Sequence, residues 1–304
     1  MTSTLLQMAM IIACGAVWRI FTPLGLSAQQ NRHVLTTVVY YLFLPALVLE
    51  VLWHADIGIH SAYYTVLGVA GIVVAGFCSW LIGRLLKFQP KQMGAVMLAS
   101  AFANVTFLGL PVLEQLFGPW ARSVAIQIDL FAVAPFLYTF GILIARHFGA
   151  EEQVKPKSVL LFLNTPPFWA AFLAVILNLY HVPAPVWLDG GLKKLSAAVV
   201  PLMLFSLGLA LSWHVVRVRQ IPYVLLVVSV KLFLMPLLAL VMVGYLDLPA
   251  SYKAAAVMDL AMPSMLMGVV LCDRYQLDSA LYAMLVSVTT ALSLITLPFW
   301  YALL

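Results

Sequence analysis

The sequence predicts an all-α integral membrane protein: ten transmembrane helices in two inverted five-helix repeats, with helices 4 and 9 broken. Three observations carry the helical membrane class. Only 9% of the 304 residues are charged, 16 Lys+Arg and 11 Asp+Glu, against about 25% in a soluble domain. The apolar share is 64%, above the usual value of about 45–50%. Apolar residues run continuously instead of alternating over about ten residues, as barrel strands would. A soluble enzyme, a disordered chain and a disulfide scaffold are excluded together. The three cysteines, Cys14, Cys78 and Cys272, lie in or beside apolar runs and read as small core hydrophobes.

With about 20 residues per span and short loops, the chain divides into runs 4–20, 34–53, 61–86, 92–117, 120–147, 158–180, 190–212, 220–246, 251–274 and 279–303. The first lacks the basic start and small-residue cleavage site of a signal peptide and reads as a retained helix. The second carries Pro45, and the fourth Pro111. The most polar stretch, Gly149 to Ser158, separates a first repeat (1–148) from a second (158–304) through a cytoplasmic linker (149–157). Pro166, Pro167, Pro183 and Pro185 interrupt the sixth run, and Pro201 lies in the seventh. The ninth contains Pro263 and the last Pro298.

Basic residues stay on the cytoplasmic side of a membrane. With the N-terminus outside, the inner side holds Arg19, Arg32, Arg84, Lys87, Lys91, Arg146, Lys155, Lys157, Arg217, Arg219 and Arg274, and the outer side Arg122, Lys193, Lys194 and Lys253. Both termini are therefore expected outside. The net charge of +5 is an inner-leaflet belt facing membrane lipid; it calls for no nucleic acid.

The halves resemble each other weakly. Pro45 matches Pro201. Runs 4 and 9 share small-residue starts, GAVMLASA and AAAVMDLA, and then meet Pro111 and Pro263. Five spans per half invert the second repeat, and interrupted helices at matching places indicate a secondary transporter with its site at the midplane. Proline removes a backbone donor and clashes with the carbonyl one turn back. The freed groups must face protein or a watery cavity. A half-helix beginning at Pro111, just after Gly109, would offer unpaired N–H groups to a carboxylate, as would Pro263-Ser264. The alternative is a pair of purely structural kinks.

Ionisable residues inside spans are costly and face the bundle interior. Asp259 lies four residues before Pro263 and is the candidate protonatable or cation-binding group. Alternatively it forms a structural pair with Lys231, and Lys231 could instead meet an anionic substrate. Asp129, with Gln127 nearby, lines the interior or makes a helix contact. Glu50 reads as interfacial. The six histidines sit near span ends without a metal-like cluster. Two aspartates and Pro45-Ala46-Leu47 raise an intramembrane aspartyl protease, but the order and the glycine context are wrong. No Walker loop supports ATP use.

Asn104-Val-Thr-Phe-Leu-Gly-Leu-Pro111, continuing to Phe117-Gly118, resembles the crossover motif of the auxin efflux carrier family. Ala261-Met-Pro263-Ser264, Asp273-Arg-Tyr275 and Leu297-Pro298-Phe-Trp300 resemble its C-terminal signature. The resemblance covers both halves. It implies a fold like that of bile acid/sodium symporters, with helices 4 and 9 broken and crossing, a scaffold and a transport domain built from both halves, and an auxin-like or mono- or dicarboxylate substrate. In plant members an asparagine near the crossover helps hold the carboxylate; Asn104 matches it. The long central loop of the plant proteins is missing, as is their acidic residue in span 3.

The expected function is secondary active transport of a small organic anion by an elevator-like movement. Asn104, Thr106, Gly109, Pro111, Pro263 and Ser264 would form the substrate site, with Asp259, Asp129 and Lys231 as intramembrane charges. No cofactor is expected; coupling is to protons or Na+, the runner-up being a sodium-coupled bile-acid-type symporter. A homodimer is allowed, and the short central loop suggests a bacterial inner membrane.

Overall fold

A computed structural model describes residues 2–21, 25–55, 57–149, 165–210 and 218–304. Its helices are α1 (Thr2–Phe21), α2 (Ala28–Trp53), α3 (Ile59–Leu85), α4 (Pro90–Ala101), α5 (Val105–Phe117), α6 (Ala121–Phe148), α7 (Pro166–Leu179), α8 (Val186–Ala210), α9 (Ile221–Gly244), α10 (Ala250–Leu260), α11 (Gly268–Arg274) and α12 (Ser279–Leu303). Six of them, α2, α3, α6, α8, α9 and α12, are long and apolar enough to cross a membrane, and three shorter apolar helices accompany them. The linker from 150 onward, the start of the expected sixth run, the end of the seventh, and Lys155, Lys157 and Arg217 lie outside the described residues.

Prolines shape the helices. Pro45, Pro111, Pro135 and Pro236 each follow a wide turn: Val39–Phe43, Val105–Gly109, Asp129–Val133 and Ser229–Leu234. A proline cannot donate to the carbonyl four residues back. Widening the turn before it relaxes the clash without ending the helix, and such π-bulges recur at functional sites. Two of the four hold ionisable residues, Asp129 and Lys231. Pro201 and Pro298 sit inside regular helices.

The helices pack in two groups. One contains α1, α2, α7 and α8; the other contains α3–α6 and α9–α12. The groups meet where α5 and α6 touch α1, α2 and α8. Small residues bring α1 onto α8: a Cβ on Gly15 would strike the Phe205 carbonyl, and one on Gly208 the Ile12 carbonyl. Such close backbone approach is how helices associate where lipid removes the hydrophobic drive. Trp53 Nε1 donates to the Val182 carbonyl, and Asn178 Nδ2 to those of Trp53 and Ala55, tying α2 to the end of α7. Leu6, Phe77, Leu237 and Ile295 are exposed, as side chains facing lipid would be.

The two ends differ. At one, Arg32 interacts with Arg19 and Asp273, Phe88 packs on Tyr223, and the Asp278 N–H donates to the Lys91 carbonyl. This basic end gathers loops assigned to the cytoplasm from sequence. At the other, the far end, Trp120 packs on Tyr252, and Asp189 meets Lys193 and His54.

Candidate functional site

The chain breaks twice within the larger group. The first break, 102–104, separates α4 from α5; the second, 261–267, separates α10 from α11. They lie side by side. Ala103 and Ser264 form an antiparallel bridge, the Asn104 N–H donates to the Pro263 carbonyl at 2.9 Å, and the Met265 N–H donates to the Phe102 carbonyl at 2.9 Å. Two unwound segments thus satisfy each other's backbone where lipid could not. The Ser264 N–H donates to Thr289 Oγ1, and the Tyr282 hydroxyl to the Met265 carbonyl.

This geometry corrects the expected half-helix starts. Val105, not Pro111, opens α5; Pro111 lies one wide turn further on. Mutual pairing of the breaks, not loss of a proline donor, sets the interruption. Pro263-Ser264 opens no helix either, because both lie within the break and α11 begins at Gly268. The two halves therefore differ: α5 presents a helix N-terminus at the crossing, with the first amides that an α-helix leaves unpaired, while the Ser264 amide is already engaged.

Beside the crossing lie the residues singled out from sequence. Asn104, Ser264, Asp259 and Lys231 are fully buried. The side-chain polar atoms of all four lack a hydrogen-bond partner among the described residues. Lys231 and Asp259 interact electrostatically but approach no closer than ion-pair distance, 4.0 Å. Gly109 makes room for Asp259: a Cβ there would collide with Asp259 Oδ1. Thr106 Oγ1 donates to Asp129 Oδ2 at 2.5 Å. Met258 and Met262 are buried nearby. No group of three His, Cys, Asp or Glu able to hold a metal occurs among the described residues.

Of the sequence candidates, Thr106 and Asp129 reach a cavity. It measures about 70 Å³ and is shared with Tyr40, Phe107, Tyr138 and Met267. Tyr40, on α2, shares side-chain hydrogen bonds with Tyr138 and Thr165, joining the two helix groups. Tyr40, Phe107 and Met267 also line a mouth of about 690 Å³ at the basic end, bordered by Arg32, His33 and Asp273. Asn104, Gly109, Pro111, Pro263 and Ser264 are buried and line neither of these cavities. Sequence reasoning missed Tyr138, and for Tyr40, which precedes Pro45, it left open both a place facing the crossover and ordinary packing; position in a span does not reveal that the two tyrosines face each other.

A second feature was also missed. Arg122, in the first turn of α6, donates through Nη2 to Glu50 Oε1 and Oε2 at 3.2 and 3.0 Å. Ser196 of α8 donates to Glu50 Oε2 at 3.1 Å, and Arg122 Nε lies 3.9 Å from Glu114. Glu50, near the end of its span, is only 6% exposed, and it ties the two helix groups together at the far end. A cavity of about 300 Å³ lies there, lined by Glu50, His54, Tyr64, Arg122, Gln127 and Tyr252.

Paired helix breaks, unpartnered polar groups and cavities at both ends define a membrane transporter. The family described as "membrane transport protein" matches residues 2–301, and the chain belongs to this family, that of the auxin efflux carriers. It is 28% identical over 301 residues to an uncharacterized transporter of Methanothermobacter thermautotrophicus, covering 98% of this chain and 97% of that one. It is 26% identical over 287 residues to the uncharacterized transporter MJ1031 of Methanocaldococcus jannaschii, covering 91% of each.

Proposed function

We propose that the protein is a secondary active transporter of a small organic anion, working by elevator-like movement of α3–α6 and α9–α12 against α1, α2, α7 and α8. The observation that carries this reading is the crossing of two helix breaks, with its unpartnered polar side chains, next to a cavity at the seam between the groups. Ten spans in inverted repeats account for the matching breaks, for the contribution of both halves to each group, and for the gathering of basic loops at one end. That end is cytoplasmic in this reading and both termini are outside, in the inner membrane of a bacterium. A homodimer would let one group stay fixed while the other moves.

The carboxylate docks at the N-terminus of α5, where unpaired amides and the helix dipole favour negative charge. Thr106 donates to it directly. Asn104 and Ser264, just behind, complete the polar surface once the crossing loosens around substrate. Lys231 and Asp259 fix the local field.

The test is uptake into proteoliposomes with a panel of radiolabelled mono- and dicarboxylates, with sodium or choline as the cation. Uptake of one acid, reduced by Thr106→Val and Asn104→Ala with binding weakened in parallel, is expected. No uptake of any carboxylate, or full uptake and affinity in both variants, would overturn the reading.

A further inference from the structure

Three ionisable side chains are enclosed in the larger helix group: Asp129 in the wide turn of α6, Lys231 in the wide turn of α9, and Asp259 in α10. Their charges act on one another, Asp259 with both of the others. Two carboxylates against one ammonium leave a net negative charge. An uncompensated charge in a bilayer interior is expensive. The N-terminus of α5 offsets roughly half a charge at best. The cluster must therefore take up one cation, and the ammonium already present disfavours a metal ion there.

Geometry distinguishes the two carboxyls. Lys231 acts on Asp259, and both are 0% exposed and line none of the described cavities at the crossing. They form a resident pair. Asp129 lies on the small cavity, one wall of which is shared with the mouth at the basic end. Its Oδ2 is held by Thr106, and its Oδ1 has no partner among the described residues. The groups around it are Thr106 from α5, Tyr40 from α2, Tyr138 on its own helix and Asp259 from α10; α3 meets this turn through Gly68. None of these is a cation that would replace the missing charge.

We infer that Asp129 is the proton-exchanging group of the carrier and that Lys231 serves as the built-in counter-ion of Asp259. A proton from water in the mouth bonds to Asp129 Oδ1, and the carboxyl becomes neutral. Thr106 is then free to turn its hydroxyl toward an arriving carboxylate, and the repulsion between that anion and Asp129 is gone. No bond in the substrate breaks. One proton accompanies one negative charge. The last two steps rest on the anion-carrier reading; the proton site itself does not.

The test therefore needs no substrate. Purified protein in lipid nanodiscs is taken from alkaline to acid pH and followed by infrared difference spectroscopy. A protonated-carboxyl stretch from a buried, hydrogen-bonded group is expected to appear in the wild type and to be lost in Asp129→Asn; in Asp259→Asn, which removes the second negative charge, the band persists but appears only at lower pH. Thr106→Val, which keeps the carboxyl and removes its hydrogen bond, shifts the band without abolishing it. This second variant keeps the test decisive if Asp129→Asn does not fold. Survival of the band in Asp129→Asn, its insensitivity to Thr106→Val, or its suppression by sodium relative to choline would each overturn the inference. An intact band beside a failed carboxylate screen would reject the substrate class and leave the proton site standing.

Discussion

Gly109 shows how far one side chain decides what the crossing can hold. It lies in the wide turn of α5 with Asp259 Oδ1 against its Cα face and Met262 beyond. Gly109→Ala forces the carboxylate or the turn to move. Overpacking of this kind costs about 1–3 kcal/mol, so a lower melting temperature in detergent is expected. Gly109→Ala combined with Asp259→Ala recovers part of that loss, because the two residues are in contact and their effects are non-additive. If the double variant loses the full sum, the contact does not limit stability. Lys231 is tested the same way. Lys231→Met removes the nearby opposite charge of Asp259, so a lower melting temperature is expected; Lys231→Met with Asp259→Asn should melt higher than Lys231→Met alone. These residues were legible in the sequence because charges are so scarce within its apolar runs that each one marks an interior position. Glu50 and Arg122 were not. Each sits near a span end, where charge is ordinary, and their pairing depends on how α2 and α6 pack.

At the scale of elements, four prolines each follow a wide turn, and the sequence shows the proline but not the turn. A proline can kink, break or widen a helix, and neighbouring side chains select the outcome. In α9, Trp300 Nε1 donates to the Leu232 carbonyl at 2.8 Å, inside the turn that carries Lys231. Helix α12 thereby fixes the wide turn of α9 and the position of the ammonium. Trp300→Phe keeps the ring packing and removes this bond, for an expected loss of about 0.5–1.5 kcal/mol. Amide hydrogen exchange should accelerate in the peptide spanning Ser229–Leu234, with little change in α3. Uniform acceleration would mean that the bond supports the whole group instead of this turn. The helix breaks follow the same logic. Pro263 lies inside the second break, but Pro111 lies well past the first, and the true limits come from pairing between residues about 160 positions apart in sequence, such as Ala103 and Ser264, which no local pattern encodes.

For the whole molecule, the two ends differ in what lines them. The basic end has a mouth of about 690 Å³ leading toward Thr106 and Asp129. At the far end, beside a cavity of about 300 Å³, Arg122 of the larger group bonds Glu50 and Ser196 of the smaller one. The proposed movement of one group past the other would have to break this grip. A largely buried pair spanning that seam would contribute more to the choice between two states than to stability, since its two charges give up hydration to form it. In the proposed carrier, Arg122→Gln would therefore shift the balance toward a state open at the far end. On a background with the native cysteines replaced, Ala55→Cys lines the far cavity and Thr37→Cys the mouth. With a membrane-impermeant maleimide, Arg122→Gln is expected to speed labelling at Ala55→Cys several-fold and to slow it at Thr37→Cys. Loosening of the fold alone would speed both. Opposite changes are the signature of alternating access, because opening one end then requires closing the other, and equal changes at the two sites would show that the Arg122 grip holds the structure together without gating it.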